Sequence, residues 1–191
     1  MGLVMECVEC ETVAQRQQRE GLFPLSDAIG VLRSVADALN QLHWIGILYR
    51  DLKPQNIRLG PGDIVQLHDW DGAHEMARGS LAYLSPEQLL GDAVGPSSDI
   101  FSLGVVFYEM LTGRLPHAGT TVPELRTQRF LRRHIPVHWL RPIVPRALGH
   151  VVARALHPDP AERWPSALAF AQAAERAVGA EGGATIREFA P

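Results

Sequence analysis

Cysteine is scarce in this sequence: Cys7 and Cys10 are the only two. Their C-x-x-C spacing lacks the second pair or nearby histidines that a zinc site needs, and the βαβ setting of a thioredoxin-like redox site. They read as ordinary residues after a strand. One-sided charge is missing as well. The formal net charge is −3 and no basic block interrupts it, which argues against a nucleic-acid surface. Long apolar runs are absent too. The longest, Leu103 to Tyr108, contains Gly104 and stops at Glu109, far too short to span a bilayer. No charged stretch followed by an apolar one marks the start as a signal peptide, and no internal repeat is visible. These absences describe a soluble, cytoplasmic protein with no nucleic-acid or membrane partner. What is present suffices for a core: 46% of the 191 residues are apolar and 20% charged, so one packed domain is expected.

The chemistry concentrates in Tyr49-Arg50-Asp51-Leu52-Lys53-Pro54-Gln55-Asn56. An Asp, a Lys two residues on and an Asn five residues on, with a Pro stiffening the turn, can aim a base, a cation and a metal ligand into one pocket. Phosphoryl transfer uses that set: the Asp orients the attacking hydroxyl, the Lys neutralises the transferring phosphate, and the Asn holds a divalent metal. The competing reading is a polar loop with a helix-breaking Pro.

Around this stretch the pattern is mostly helical. Gly2 to Glu6 reads as a strand, followed by a short polar helix over Glu11 to Arg19 that Gly21 and Pro24 close. Ser26 is the expected N-cap of a long helix to about Ile45, with Ile29, Leu32, Ala36 and Leu39 at helical spacing. Ile57–Leu59 and Ile64–Leu67 read as strands joined by Gly60-Pro61-Gly62-Asp63. Ser97-Ser98-Asp99 is expected to cap a helix to Thr112, apolar nearly all round and therefore central and buried. Pro123 to Arg133 reads as a more exposed helix, with four arginines from Arg126 to Arg133 on a solvated face. The stretch from Pro136 to Pro145 reads as irregular. Helices follow around Leu148 to Leu156 and over Ser166 to Val178, before a Gly-rich tail.

Five ordered motifs carry a resemblance. Tyr49 to Asn56 resembles the protein-kinase catalytic loop H-R-D-x-x-x-x-N, with Tyr in place of His. Asp69-Trp70-Asp71 follows 18 residues after Asp51 and is similar to D-F-G, with Asp71 replacing the Gly. Gly79 to Glu87 resembles G-T-x-x-Y-M-A-P-E, the end of the activation segment. Asp99 to Gly113 is similar to the kinase D-x-x-S-L-G-V helix, and Asp159 to Pro165 to the D-P-x-x-R-P element. The resemblance implies roles residue by residue. Asp51, Lys53 and Ser80 become catalytic, Ser80 bridging the other two, and Asn56 and Asp69 become magnesium ligands. Met5 becomes the gatekeeper beside the adenine, and the backbone of Glu6 and Val8 would bond the base. Arg58 would lie beneath the adenine, where an apolar side chain is usual. Arg50, Glu87, Asp99 and Arg163 become structural supports: Asp99 on the catalytic-loop backbone, Arg163 paired with Glu87. ATP and Mg2+ are the implied cofactors, and a protein with a Ser or Thr acceptor is the implied partner. Between Trp70 and Gly79 there is no Ser, Thr or Tyr, so a segment not switched by phosphorylation is expected.

The resemblance covers residues 2 to 178 and matches the large lobe alone. No glycine-rich phosphate loop, V-A-I-K lysine or partner Glu helix stands ahead of Leu3. The expected fold class is α+β, mainly α-helical: a protein-kinase-like C-terminal lobe with a residual hinge strand and small β-hairpins, the N-terminal lobe absent. The expected division is 1–10 as the last small-lobe strand and hinge, 11–178 as the C-lobe, and 179–191 as a flexible tail. Three functional readings follow. The first is a partial Ser/Thr protein kinase with doubtful activity on its own, either truncated at its N-terminus or completed by a partner chain that supplies an N-lobe. The second is a pseudokinase that serves as a protein-binding scaffold, favoured by Tyr49, Arg58 and Asp71. The third is a non-functional gene fragment.

Overall fold

Either a hydrogen-bonded cap or a proline decides where each helix begins. The computed structural model describes residues 10–61, 64–68, 81–131 and 134–182. Glu11–Thr12 forms a short strand, β1, and Thr12 then opens α1 (Val13–Glu20). The Thr12 hydroxyl accepts from the Gln15 amide at 3.1 Å, and the Gln15 side chain accepts from the Thr12 amide at 2.7 Å. This reciprocal cap starts the helix two residues later than the sequence pattern suggested. Cys10, read as an ordinary residue, is disulfide-bonded; Cys7 lies outside the described residues.

The long helix α2 spans Leu25–Trp44. Its N-cap is Pro24 rather than Ser26, because Ser26 lies inside the first turn and its hydroxyl donates to Asp27 Oδ1 at 3.0 Å. Strands β2 (Ile57–Leu59) and β3 (Val65–Leu67) form an antiparallel hairpin with Ile57 opposite Leu67 and Leu59 opposite Val65. β1 joins the other edge of β2, giving the order β1-β2-β3. The side chains alternate as a pleated strand requires: Ile57 is fully buried, whereas Arg58 and Gln66 are exposed.

Helix α3 (Pro86–Leu90) is capped by Ser85 and Gln88 and ends on a left-handed Gly91. The central helix α4 runs from Pro96 to Thr112 with Gly95 as N-cap. Ser98 and Asp99, expected as caps, lie inside the helix, where both are buried and engaged elsewhere. Helix α5 (Val122–Phe130) begins at a Thr121–Glu124 capping box. A one-turn helix, α6 (Val137–Leu140), occupies the Pro-rich stretch expected to be irregular: Pro136 precedes the turn and Val137 buries its side chain. Helix α7 (Arg146–Ala155) and α8 (Ala167–Gly182) complete the described chain. Helix α8 passes through Gly179, four residues beyond the expected end.

The core is built on α4, whose Ile100, Phe101, Leu103, Val105, Val106, Phe107, Met110 and Leu111 are at most 1% exposed. The α2 stripe of Ala28, Val31, Leu32, Val35, Ala36 and Leu39 packs against α4 and α8. Each of its Val and Leu side chains contributes about 1.5–3 kcal/mol. The architecture is a helical lobe with a small sheet at one edge, the mainly helical α+β class that the sequence implied. One expectation fails within α5. Arg129, assigned to a solvated face, is fully buried, because it sits four residues after the buried Leu125 and shares its side of the helix.

Candidate active site

Helix α2 ends at Trp44, Gly46 turns the chain with φ +77°, and the loop Tyr49–Asn56 follows. Within it Arg50 has φ +69°, and the Asp51 amide donates to the Tyr49 carbonyl at 2.9 Å. The result is a tight three-residue turn with a positive central φ, a conformation that non-glycine residues adopt only at a cost of about 1–3 kcal/mol. Asp99 over-determines it. From α4, its carboxylate accepts from the Tyr49 amide at 2.9 Å and the Arg50 amide at 2.7 Å, and lies 2.7 Å from His43 Nε2. The Arg50 carbonyl accepts from Gln88 Nε2 of α3 at 2.9 Å. Arg50 therefore acts here through its backbone.

The turn delivers Asp51 to the surface with its side chain 39% exposed. Lys53 Nζ donates to Asp51 Oδ2 at 2.5 Å. Asn56, only 3% exposed, donates its amide to the Asp51 backbone oxygen at 2.9 Å and to Oδ2 at 3.2 Å. A 3-10 turn over Pro54–Asn56 sets this reach, with Pro54 fixing the first dihedral. One base, one cation and one amide thus converge within five residues. The Tyr49 hydroxyl donates to the His68 carbonyl at 2.5 Å, and the His68 amide donates to the Asn56 carbonyl at 3.1 Å. The residue ahead of Asp69 is thereby tied to the same loop.

A second cluster holds α3 against the helical body. Arg163 Nη1 and Nη2 donate to Glu87 Oε1 and Oε2 at 2.7 and 2.8 Å, and the Ser98 hydroxyl donates to Oε1 at 2.6 Å. Arg163 also reaches the carbonyls of His157, Ser97 and Pro158. Burial alone would raise the Glu87 carboxyl, but the Arg163 and Ser98 hydrogen bonds more than offset it and hold the group below the usual carboxylate range.

Of the residues singled out by sequence, Asp51, Lys53 and Asn56 meet in one cluster, Arg50 and Asp99 support it, and Glu87 pairs with Arg163. Arg58 stands apart on the exposed sheet face, opposite Gln66 and Thr12. Met5, Glu6, Val8, Asp69 and Ser80, together with Trp70 and Asp71, lie outside the described residues. Sequence reasoning missed His43, Gln88 and Arg129. Gln88 was signalled by its place three residues after Ser85, the capping-box spacing. Arg129 was signalled by its helical offset from Leu125.

Residues 1–174 match the protein kinase domain. The chain belongs to that family. Curated relatives of this kinase lobe include a probable serine/threonine-protein kinase of Clostridium perfringens, 33% identical over 175 residues. That alignment covers 86% of this chain and 26% of the relative. Serine/threonine-protein kinase PknB of Mycobacterium leprae is 34% identical, with 86% and 28% covered. PknL of Mycobacterium tuberculosis is also 34% identical, with 88% and 45% covered. The chain spans between about a quarter and under half the length of these relatives. Among the described residues, no helix is long and apolar enough to cross a membrane.

Proposed function

We propose that this chain carries the catalytic lobe of a protein serine/threonine kinase and transfers the γ-phosphate of ATP to a Ser or Thr hydroxyl on a protein. One observation carries the reading: Lys53 and Asn56 converge on a carboxylate, Asp51, that remains open to an incoming hydroxyl. In this reading Asp51 orients the acceptor hydroxyl and takes its proton, while Lys53 sits beside it to balance charge on the moving phosphoryl group. On the family pattern Ser80 would bridge Asp51 and Lys53. The backbone of Glu6 and Val8 would bind the adenine beside Met5, with Arg58 beneath it.

The donor chemistry fits magnesium. Asn56 commits its amide nitrogen to Asp51, which leaves its carbonyl oxygen as an acceptor of the hard type that this cation takes. Among the described residues no group of three or more His, Cys, Asp or Glu could hold a metal; Asn56 with Asp69 and the nucleotide phosphates would complete the set. Magnesium, when bound there, would offset charge on the β- and γ-phosphates.

A second reading, the protein-binding scaffold, is favoured by the surface beside the hairpin. Trp44, Ile45 and Ile64 are 88, 65 and 57% exposed. Ile45 and Ile64 line a groove of about 780 Å3 with Leu42, Val65 and Leu67. An apolar ledge of this kind suits a covering protein surface. A small lobe, on the same polypeptide or on a partner chain, would both cover it and complete the nucleotide site.

The test is Mg-ATP-dependent labelling of a generic protein substrate by the wild-type chain and by Asp51→Asn. Labelling that the substitution abolishes supports the kinase. A folded wild-type chain that labels nothing, alone or with a small lobe added, leaves the scaffold reading.

A further inference from the structure

Residues 81–83 lead into α3, and two side-chain donors, Ser102 and Arg129, hold their three carbonyls. Ser102 of α4 donates to the Tyr83 carbonyl at 2.8 Å, and the Tyr83 hydroxyl donates to Glu109 at 2.8 Å. The Leu81 and Ala82 carbonyls go to a single atom, Arg129 Nη2 of α5, at 3.0 and 2.9 Å. Directly beyond this turn, α3 bonds the Arg50 carbonyl of the catalytic loop through Gln88.

Arg129 is an expensive residue to keep in place. It is 0% exposed, and its Nε and Nη1 have no hydrogen-bond partner. The nearby carboxylate, Glu87, is already taken by Arg163 and Ser98. Its guanidinium lies 5.3 Å from the Phe101 ring, which Arg163 also approaches at 5.0 Å and His117 stacks upon at 6.2 Å. Burial, with Arg163 adding to it, lowers the Arg129 group to about 10, still charged at neutral pH. For packing alone a Met or Leu would serve better, since a buried charge with incomplete bonding costs more than it contributes. What an apolar side chain cannot supply is the pair of bonds to residues 81 and 82.

We propose that Arg129 is a positioning residue that latches the turn 81–83 at the height where an acceptor protein is presented to Asp51. The proposal rests on the kinase reading for its consequence and on the geometry of α5 for its cause. Both bonds leave one nitrogen, so the planar fork of arginine is not required. A lysine ammonium, with three protons on one atom, can make them too.

The experiment compares wild type, Arg129→Met and Arg129→Lys in the full chain by amide hydrogen exchange and thermal melting. The latch requires Arg129→Met to speed exchange at residues 81–85 about tenfold. Helices α2 and α4 should keep their protection and the melting temperature should not fall; Arg129→Lys should restore the slow exchange. Unchanged exchange at 81–85 in Arg129→Met would overturn the proposal, as would a uniform loss of protection through α4 and α5. Where the wild type transfers phosphate, Arg129→Met should also raise the acceptor KM and leave that for ATP unchanged; equal effects on both would count against it. A wild type that transfers nothing refutes the kinase reading, while the exchange data still judge the latch.

Discussion

At the scale of single residues, the protein places polar groups in its interior for different reasons. Asp99 is 1% exposed and satisfies two backbone amides of a strained turn, so its burial is offset by those bonds. His117 is the opposite case: 2% exposed, with neither ring nitrogen bonded. Burial, with Arg129 and His134 adding to it, lowers its protonation to about 3, so it is neutral in the folded chain. In the unfolded chain it titrates near its ordinary value of 6.5. The contribution is therefore fully present above the unfolded value and is lost as pH falls through the window from 6.5 towards about 3. Replacing it by His117→Phe, which keeps a flat ring against Phe101, should flatten the decline in melting temperature over that window. An acid limb as steep as in wild type would refute this account.

Among the elements, α4 shows how closely the body is packed. A Cβ at Gly104 would stand 3.0 Å from Ala155 Cβ and 3.3 Å from Leu156 Cδ2. Glycine in a helix interior costs roughly 1 kcal/mol relative to alanine, and here that cost permits α7 to lie against α4. Gly104→Val should overfill the contact and lower stability by about 1–3 kcal/mol in urea unfolding. A neutral or stabilising result would mean that the two helices separate easily. Element ends were less legible than element centres. Ser26, Ser97 and Ser98 are all sound caps by residue type, yet Pro24 and Gly95 take the cap positions. In each case the proline at or next to the cap presets the backbone before a serine can compete.

Across the whole molecule, the Glu87–Arg163 pair joins residues 76 apart in sequence. It binds the short helix behind residues 81–83 to the chain just ahead of α8. Both side chains are at most 7% exposed. Removing one partner would strand a buried charge, so Arg163→Met or Glu87→Leu alone should cost about 3–5 kcal/mol. The double variant should recover much of that loss, since two apolar side chains leave no unpaired ion. Additive losses in a double-mutant cycle would show that the pair is not coupled as its geometry indicates.

The sequence by itself determined the helical lobe, the loop Tyr49–Asn56 and the partners within it. Those contacts are local: Asp51, Lys53 and Asn56 lie within one turn, and their spacing alone restricts where their side chains can meet. It also carried the Glu87–Arg163 pairing, through the family pattern rather than through spacing. Only the tertiary structure decided which arginine of Arg126 to Arg133 faces inward and where its bonds go. It likewise decided that β1 adds to the hairpin, and that His43 shares Asp99 with the loop. Those outcomes depend on what α5, β1 and α2 are packed against. A residue's type and its offset within its own helix state which face it occupies, but not what waits on the other side.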